Sequence, residues 1–168
     1  SGGGAGVPPL VGGLPELSPD PAPAAPPQKR LQIYSRFGQF EVDERDCVSF
    51  PLGLPGFERS RSFAVVAGED FAPFQCLHAV DDPVSFLVID PRLVLPDYRC
   101  VLSPTDLSRL GATEDTPLVW LSIVSFDEQG GVYVNLRAPI VVNPERMLGY
   151  QVMPHNSLYP LRHPLASE

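Results

Sequence analysis

Two apolar runs of different periodicity flank a short polar turn between residues 118 and 143. Residues 118–126 are apolar at both odd and even positions, which is typical of a strand covered on both faces. Residues 132–143 alternate instead, which predicts a half-buried strand. Its apolar face holds Val132, Val134, Leu136 and Ala138, and its polar face holds Tyr133, Asn135 and Arg137. The glycine-containing turn predicts an antiparallel hairpin, and Pro139 predicts a bulge, a bend or a free edge.

Eight more short segments rich in valine, leucine and phenylalanine predict strands, while one segment predicts a helix. Ser103 as N-cap, Pro104 and Asp106 begin that helix at about 103–110 and Gly111 ends it, and we expect it to act as a lid or plug. The tail 159–165 is too rich in proline for a ladder. The fold class is therefore mostly β: a small antiparallel β-barrel-like domain with one short helix. The strand segments are 31–35, 40–43, 48–50, 62–67, 74–80, 84–90, 97–102 and 147–153.

The first 30 residues differ in composition from the rest of the 168-residue chain. They hold eight of the 21 prolines and six of the 14 glycines, and they offer little apolar surface to offset the entropy of ordering. We expect residues 1–30 to be a disordered Pro/Gly/Ala-rich tail or a remnant of cloning, and residues 31–165 to form one domain.

Charge and cysteine usage narrow the function classes. After residue 30 the chain has 18 acidic residues, ten arginines and no lysine, so the net charge of -8 lies on the predicted domain. This surface disfavours direct nucleic-acid binding and favours basic partners. The three cysteines lack zinc-site spacing, and no stretch approaches the roughly 20 apolar residues of a membrane helix, so we expect a cytoplasmic protein with no membrane contact.

Candidate chemistry is sparse. Cys76 and His78 share a strand face and are a possible metal pair, but the sequence assigns no third ligand. Asp81 and Asp82 are a possible carboxylate pair, although Asp-Asp-Pro is also ordinary turn chemistry. We therefore predict no catalytic residue, no metal and no cofactor. The alternative is a cytosolic hydrolase-type or metal-dependent enzyme that uses Asp81, Asp82 or His78.

Six short motifs are spread over residues 31–165. They read RFGQFEV (36–42), FPLGLPGFE (50–58), DDP with FLVIDP (81–91), PDY (96–98), NLRAPIVVN (135–143) and YPLRHPL (159–165). In this order the blocks resemble the flagellar assembly factor FliW family. No block is diagnostic alone, but their order over a whole domain makes the match specific. The family often has lysine where Arg137 stands, which keeps the charge.

The resemblance implies a non-enzymatic barrel protein, monomeric when free, that binds flagellin and the translational repressor CsrA. Unexported flagellin would hold the factor, and export of flagellin would free it to antagonise CsrA. Motif residues that look too exposed for a core are the expected partner-binding residues. They are Pro55, Gly56, Phe57 and Glu58 in a rigid loop, Asp81 and Asp82 at a turn, and Asn135 and Arg137 on the polar strand face.

Overall fold

The computed structural model describes residues 30–35 and 38–165. Residues 1–29, Arg36, Phe37 and residues 166–168 lie outside this range, so the predicted tail 1–30 is not described apart from Arg30, nor is part of the first turn. In chain order the strands are β1 (Arg30–Ser35), β2 (Gly38–Asp43), β3 (Cys47–Ser49), β4 (Ser62–Ala67), β5 (Gln75–Ala79), β6 (Ser85–Ile89), β7 (Val119–Phe126), β8 (Val132–Val134), β9 (Ile140–Asn143), β10 (Leu148–Gln151) and β11 (His163–Pro164). The helices are α1 (Pro91–Val94) and α2 (Pro104–Leu110), with 3-10 turns at Glu44–Asp46 and Glu69–Phe71.

Seven strands form a closed barrel, in the order β7-β6-β5-β4-β3-β10-β9, and β9 pairs back onto β7. The strands β1 and β2 form a separate hairpin, while β8 and β11 extend the sheet beyond β7. The predicted mostly β, barrel-like fold class is confirmed. One pair departs from the predicted antiparallel arrangement: β3 and β10 run parallel and meet at Ser49 and Leu148.

Alternate residues of six barrel strands fill the barrel interior, as strand geometry requires. The largest fully buried side chains here are Phe50, which follows β3, and Phe63 of β4, whose ring centroids lie 5.1 Å apart. The seventh strand contributes Gly149 at this level, where an added Cβ would come within 2.6 Å of the Phe50 ring. The buried interior cluster is Val48, Phe50, Leu54, Phe63, Leu77, Ala79, Val88, Leu121, Ile140 and Val142.

Two smaller clusters cover the outside of the barrel. One is built on Leu87, Val124 and Val134 and is covered by the residues after α1 and by the C-terminal segment. The other joins Leu110 of α2 to Val141 and Val152. These clusters explain why 118–126 is apolar on both faces. The expected position of the helix as a plug is wrong. Helix α2 packs on the outer wall of the barrel over β9 and β10.

The predicted strand 132–143 is two strands separated by a bulge. Val134 is paired with Val124, and Ile140 with Leu121, so residues 135–139 stand opposite only two residues of β7. Pro139 ends this bulge, in line with the predicted bulge or bend. The polar and apolar alternation nevertheless continues through it, since Leu136 and Ala138 are buried while Arg137 is exposed.

Two further strand predictions are wrong. Residues 97–102 join no ladder in the described part of the chain, and the proline-rich tail does contain a short strand, β11, paired with β8. Pro164 occupies a ladder position there, and Leu165 continues the contact by donating to the Val132 carbonyl at 2.9 Å. Within the described residues no helix is long and apolar enough to cross a membrane.

Candidate functional site

The connections β3–β4, β5–β6 and β7–β8 emerge at one end of the barrel, because successive antiparallel strands reverse direction. We call this the loop end, and it consists of residues 50–61, 80–84 and 127–131. Its acidic side chains are Glu58, Asp81, Asp82, Asp127 and Glu128, while Arg59 and Arg61 offset part of the charge.

The first of these connections is a turn fixed by its own backbone. The amide of Gly53 donates to the Phe50 carbonyl at 2.8 Å, and that of Phe57 donates to the Leu54 carbonyl at 2.7 Å. Gly53 has a φ of +64°, and a Cβ added there would lie 2.6 Å from the Cα of Glu58. A side chain at residue 53 would therefore force this turn apart.

Phe57 is anchored on one side and open on the other. Its ring meets that of Phe86 edge to face with centroids 5.3 Å apart, yet 40% of the residue remains exposed. Leu52 in the same loop is 56% exposed. The loop thus presents an ordered aromatic ring next to a second apolar side chain, and exposed apolar groups of this kind mark interaction sites when they are contiguous.

Glu58 folds back onto its own turn. One carboxylate oxygen accepts from the Gly56 amide at 3.1 Å, and this hydrogen bond is the main reason that the pKa of Glu58 lies below its ordinary value. The charge is exposed to solvent but held in place by the bond.

A hydrogen bond joins the two predicted halves of this site. The Ser60 hydroxyl donates to a carboxylate oxygen of Asp82 at 2.7 Å, which ties the β3–β4 loop to the β5–β6 turn. Asp82 is half-buried, whereas Asp81 is exposed. The structure therefore brings together six of the eight predicted residues: Pro55, Gly56, Phe57, Glu58, Asp81 and Asp82.

The third connection of the loop end was not predicted as part of the site. Phe126 is 56% exposed at the end of β7, and Asp127 follows it. Asp127 accepts from the Gly131 amide at 2.6 Å and from the Tyr133 hydroxyl at 2.9 Å, and these bonds lower its pKa. Only the alternation of hairpins could have placed this turn beside the other two, and the individual residues carry no such signal.

Asn135 and Arg137 lie in the bulge, where their polar atoms bond to this chain. The side-chain oxygen Oδ1 of Asn135 accepts from the backbone amides of Arg137 and Ala138 at 3.1 and 3.0 Å. The Nε of Arg137 donates to the Tyr159 carbonyl at 2.9 Å. Both residues thus hold the bulge and the C-terminal segment in place.

The bulge is further held by two tyrosines. The buried hydroxyl of Tyr98 donates to the Leu136 carbonyl at 2.8 Å. The Tyr98 ring lies against that of Tyr159 with centroids 4.6 Å apart. Burial raises the pKa of Tyr98, so its hydroxyl remains a donor.

The candidate catalytic groups do not converge. His78 is 4% exposed, its Nδ1 has no hydrogen-bond partner in the part of the chain that the structure describes, and burial lowers its pKa. Cys76 is buried on the same strand, and over residues 30–35 and 38–165 no three histidine, cysteine or acidic side chains group as metal ligands. Asp82 is engaged by Ser60 while Asp81 faces solvent, so no observation favours an acid–base pair.

The architecture and its loop end define a small, closed seven-stranded β-barrel domain. Comparison with known proteins identifies the family to which this domain belongs. The family model described as FliW protein matches residues 32–165. The chain belongs to the FliW family.

Individual relatives agree with this assignment. "Flagellar assembly factor FliW" of Natranaerobius thermophilus is 36% identical over 135 residues, which are 79% of this chain and 89% of the relative. The protein of the same name from Carboxydothermus hydrogenoformans is 36% identical over 138 residues, or 80% and 89% of the two chains. A solved structure titled "Crystal structure of the flagellar assembly factor FliW" superposes with a TM-score of 0.74 at 31% identity, over 82% of this chain and 98% of that one.

Proposed function

We propose that this protein is a non-enzymatic, cytoplasmic flagellar assembly factor, monomeric when free, that binds flagellin and antagonises CsrA. Unexported flagellin holds the factor, and export of flagellin releases it to bind CsrA and relieve the repression of flagellin synthesis. The basis is membership of the FliW family together with the flagellin and CsrA binding that the family resemblance implies.

The observation that carries this proposal is the pairing of an exposed aromatic ring with fixed carboxylates at the loop end. The Phe57 ring packs against Phe86. Glu58 is held by a hydrogen bond within its own loop, and Asp82 by one that joins its turn to Ser60 of that loop. A preorganised loop loses little conformational entropy when a partner binds, and aromatic side chains dominate the binding energy of many interfaces.

The acidic side chains of the loop end support it as the CsrA-binding surface. CsrA proteins have a basic RNA-binding surface, and Glu58, Asp81 and Asp82 would place negative charge against it. Asp127 and Glu128 add to that charge from the third connection. The loop end would then compete with RNA through complementary charge.

Removal of single charges tests this assignment with little risk to the fold. Glu58→Gln keeps an oxygen that can accept from the Gly56 amide, and Asp81→Asn removes no hydrogen bond made by that carboxylate to the described residues. In calorimetric titrations with the cognate CsrA we expect each variant to weaken binding about threefold at low salt and less at high salt.

Glu114→Gln is the matched control, because Glu114 is exposed in the β6–β7 connection at the other end of the barrel. Its CsrA affinity should equal that of the unmodified protein. If Glu58→Gln and Asp81→Asn also leave the affinity unchanged at low salt, the loop end is not the CsrA site.

A further inference from the structure

The segment 98–103 has the side-chain pattern of a strand, but none of the described strands lies beside it. Tyr98 and Cys100 pack into one outer cluster and Leu102 into the other, while Val101 between them is 83% exposed. The alternation is that of a half-buried strand, yet the segment pairs with no sheet among residues 30–35 and 38–165.

Within the described residues, its backbone is hydrogen-bonded at the two ends and open at the centre. The Arg99 amide donates to the Tyr159 hydroxyl at 3.0 Å, and the Ser103 amide donates to a carboxylate oxygen of Asp106 at 3.1 Å. Among the described residues, the amides of Cys100, Val101 and Leu102 have no hydrogen-bond partner. Natural proteins usually protect such an edge with lysine, proline or a cover, and here its centre is an exposed valine.

This open segment forms one wall of a groove whose other wall is residues 152–159. The groove has a volume of about 1250 Å³. Met153 and Leu158 on the second wall are 65% and 97% exposed. Pockets for small ligands usually measure roughly 300–1,000 Å³, so the size of this groove favours a peptide segment.

The charges in the groove are opposite in sign to that of the whole chain. Arg99 and Arg109 line it, and neither has an ion-pair partner within residues 30–35 and 38–165. Asp106 also lines the groove, but it is occupied in the capping box with Ser103. In a chain of net charge -8, two unpaired arginines beside exposed apolar side chains select an occupant that is itself apolar and acidic.

We propose that this groove binds an extended segment of a partner protein, which adds as a strand along residues 100–102. Its backbone pairs with the open amides, its alternate apolar side chains contact Val101 and Met153, and at least one carboxylate faces Arg99 or Arg109. Strand addition supplies the hydrogen bonds that the edge lacks, which neither a helix nor a small molecule does.

A random peptide library tests the proposal because it samples many extended segments at once. Ten-residue peptides are selected on the full-length protein and counter-selected on the Val101→Pro variant. Proline removes the central unpaired amide but no existing hydrogen bond, since the Val101 amide has no partner among the described residues. We expect the retained peptides to alternate apolar residues with a period of two and to contain more aspartate and glutamate than lysine and arginine.

The best of these peptides is then synthesised, and amide hydrogen exchange is measured on the full-length protein with and without it. Exchange at residues 100–102 should slow at least tenfold, and Val101→Pro should weaken binding at least tenfold. Val101→Thr keeps the amide and the strand propensity and should bind within about threefold of the unmodified protein. Arg99→Glu should weaken binding of the acidic peptide. The same variant should bind more tightly a peptide in which lysine replaces the acidic residues.

Four results would overturn the proposal. The selection could retain no peptide that discriminates against Val101→Pro, or it could retain peptides with helical spacing. Slow exchange at 100–102 in the free protein, independent of concentration, would show that part of the same chain covers the edge. Slow exchange that increases with protein concentration would assign the edge to a second copy. A matched thermal midpoint for Val101→Pro and the unmodified protein ensures that loss of binding is not loss of fold.

Discussion

The loop end and the bulge at 135–139 both contain residues that resemble family motifs, yet the two regions use them differently. At the loop end the hydrogen bonds of Glu58 stay within its own turn, and the aromatic ring of Phe57 remains partly open to solvent. In the bulge, Arg137 reaches across to the C-terminal segment and Tyr98 reaches the Leu136 carbonyl. The first region is free to meet a partner, whereas the second connects parts of the chain that are distant in sequence.

The contrast shows that polarity and position in a motif do not decide whether a side chain is tied to the backbone or left open to solvent. Asn135 and Asp81 are both polar residues of these motifs. The Asn135 side chain accepts from two backbone amides, while Asp81 lies exposed at a turn. What distinguishes them is where the hydrogen bonds go, and this depends on backbone that other segments bring close.

The largest expected effect is on the bulge. Asn135→Ala removes the acceptor for two backbone amides, and we expect it to lower the free energy of unfolding by about 2 kcal/mol. Urea denaturation measures this change. Asn135→Asp keeps the acceptor oxygen, so its free energy of unfolding should fall much less. Asn156→Ala, at an exposed asparagine, should leave the free energy of unfolding unchanged. Unchanged stability with impaired partner binding would move Asn135 to the binding surface.

The second prediction concerns the loop end, where a substitution should lower partner affinity more than stability. Phe57→Ala removes an exposed aromatic ring that makes one edge-to-face contact, so stability should fall by less than about 1.5 kcal/mol. Flagellin or CsrA affinity should fall about tenfold if this ring is an interface anchor. Leu93→Ala is the control, because Leu93 on α1 is 63% exposed. Equal affinities for both variants would contradict a binding role for Phe57.

A smaller loss of stability is expected when the bond between the bulge and the C-terminal segment is removed. Arg137→Ala removes the hydrogen bond to the Tyr159 carbonyl and should cost about 1 kcal/mol of stability. Hydrogen exchange should also speed up at Leu136, whose amide donates to the Pro160 carbonyl. Arg137→Lys, which retains a donor, should recover most of both losses. A variant that lost CsrA affinity while exchange at Leu136 stayed slow would instead assign Arg137 to the interface.

The smallest expected effect is a pH dependence of stability that arises from His78, which lies in neither the loop end nor the bulge. Burial lowers the pKa of His78 from its ordinary value of 6.5, so the folded protein favours the neutral imidazole. The stabilisation is complete above about pH 6.5 and is lost as the pH falls through that value toward the folded pKa. Unfolding free energies between pH 7.5 and about 5.5 should therefore decline, and His78→Gln should flatten the decline. His155→Gln, at an exposed histidine, should leave this decline unchanged.

Much of the fold could be predicted from local pattern. The strand at 62–67 and the helix at 104–110 agree with the structure because their signals are local: a run of β-formers in one case, and Ser103, Pro104 and Asp106 in the other. The sequence also predicted the loop and turn residues that the structure brings together. It missed Phe126 and Asp127, because their place beside the loop depends on the direction of three successive hairpins.

The sequence by itself determined which residues are inward, which connections are turns, and that the chain is a mostly β domain. Those properties depend on side-chain periodicity and on glycine and proline, which act over a few residues. Only the tertiary structure decided that β9 closes the barrel on β7, that residues 135–139 bulge, and that none of the described strands pairs with 98–103. Strand pairing is a contact between distant segments, and a strand-like pattern does not specify whether another strand will lie beside it.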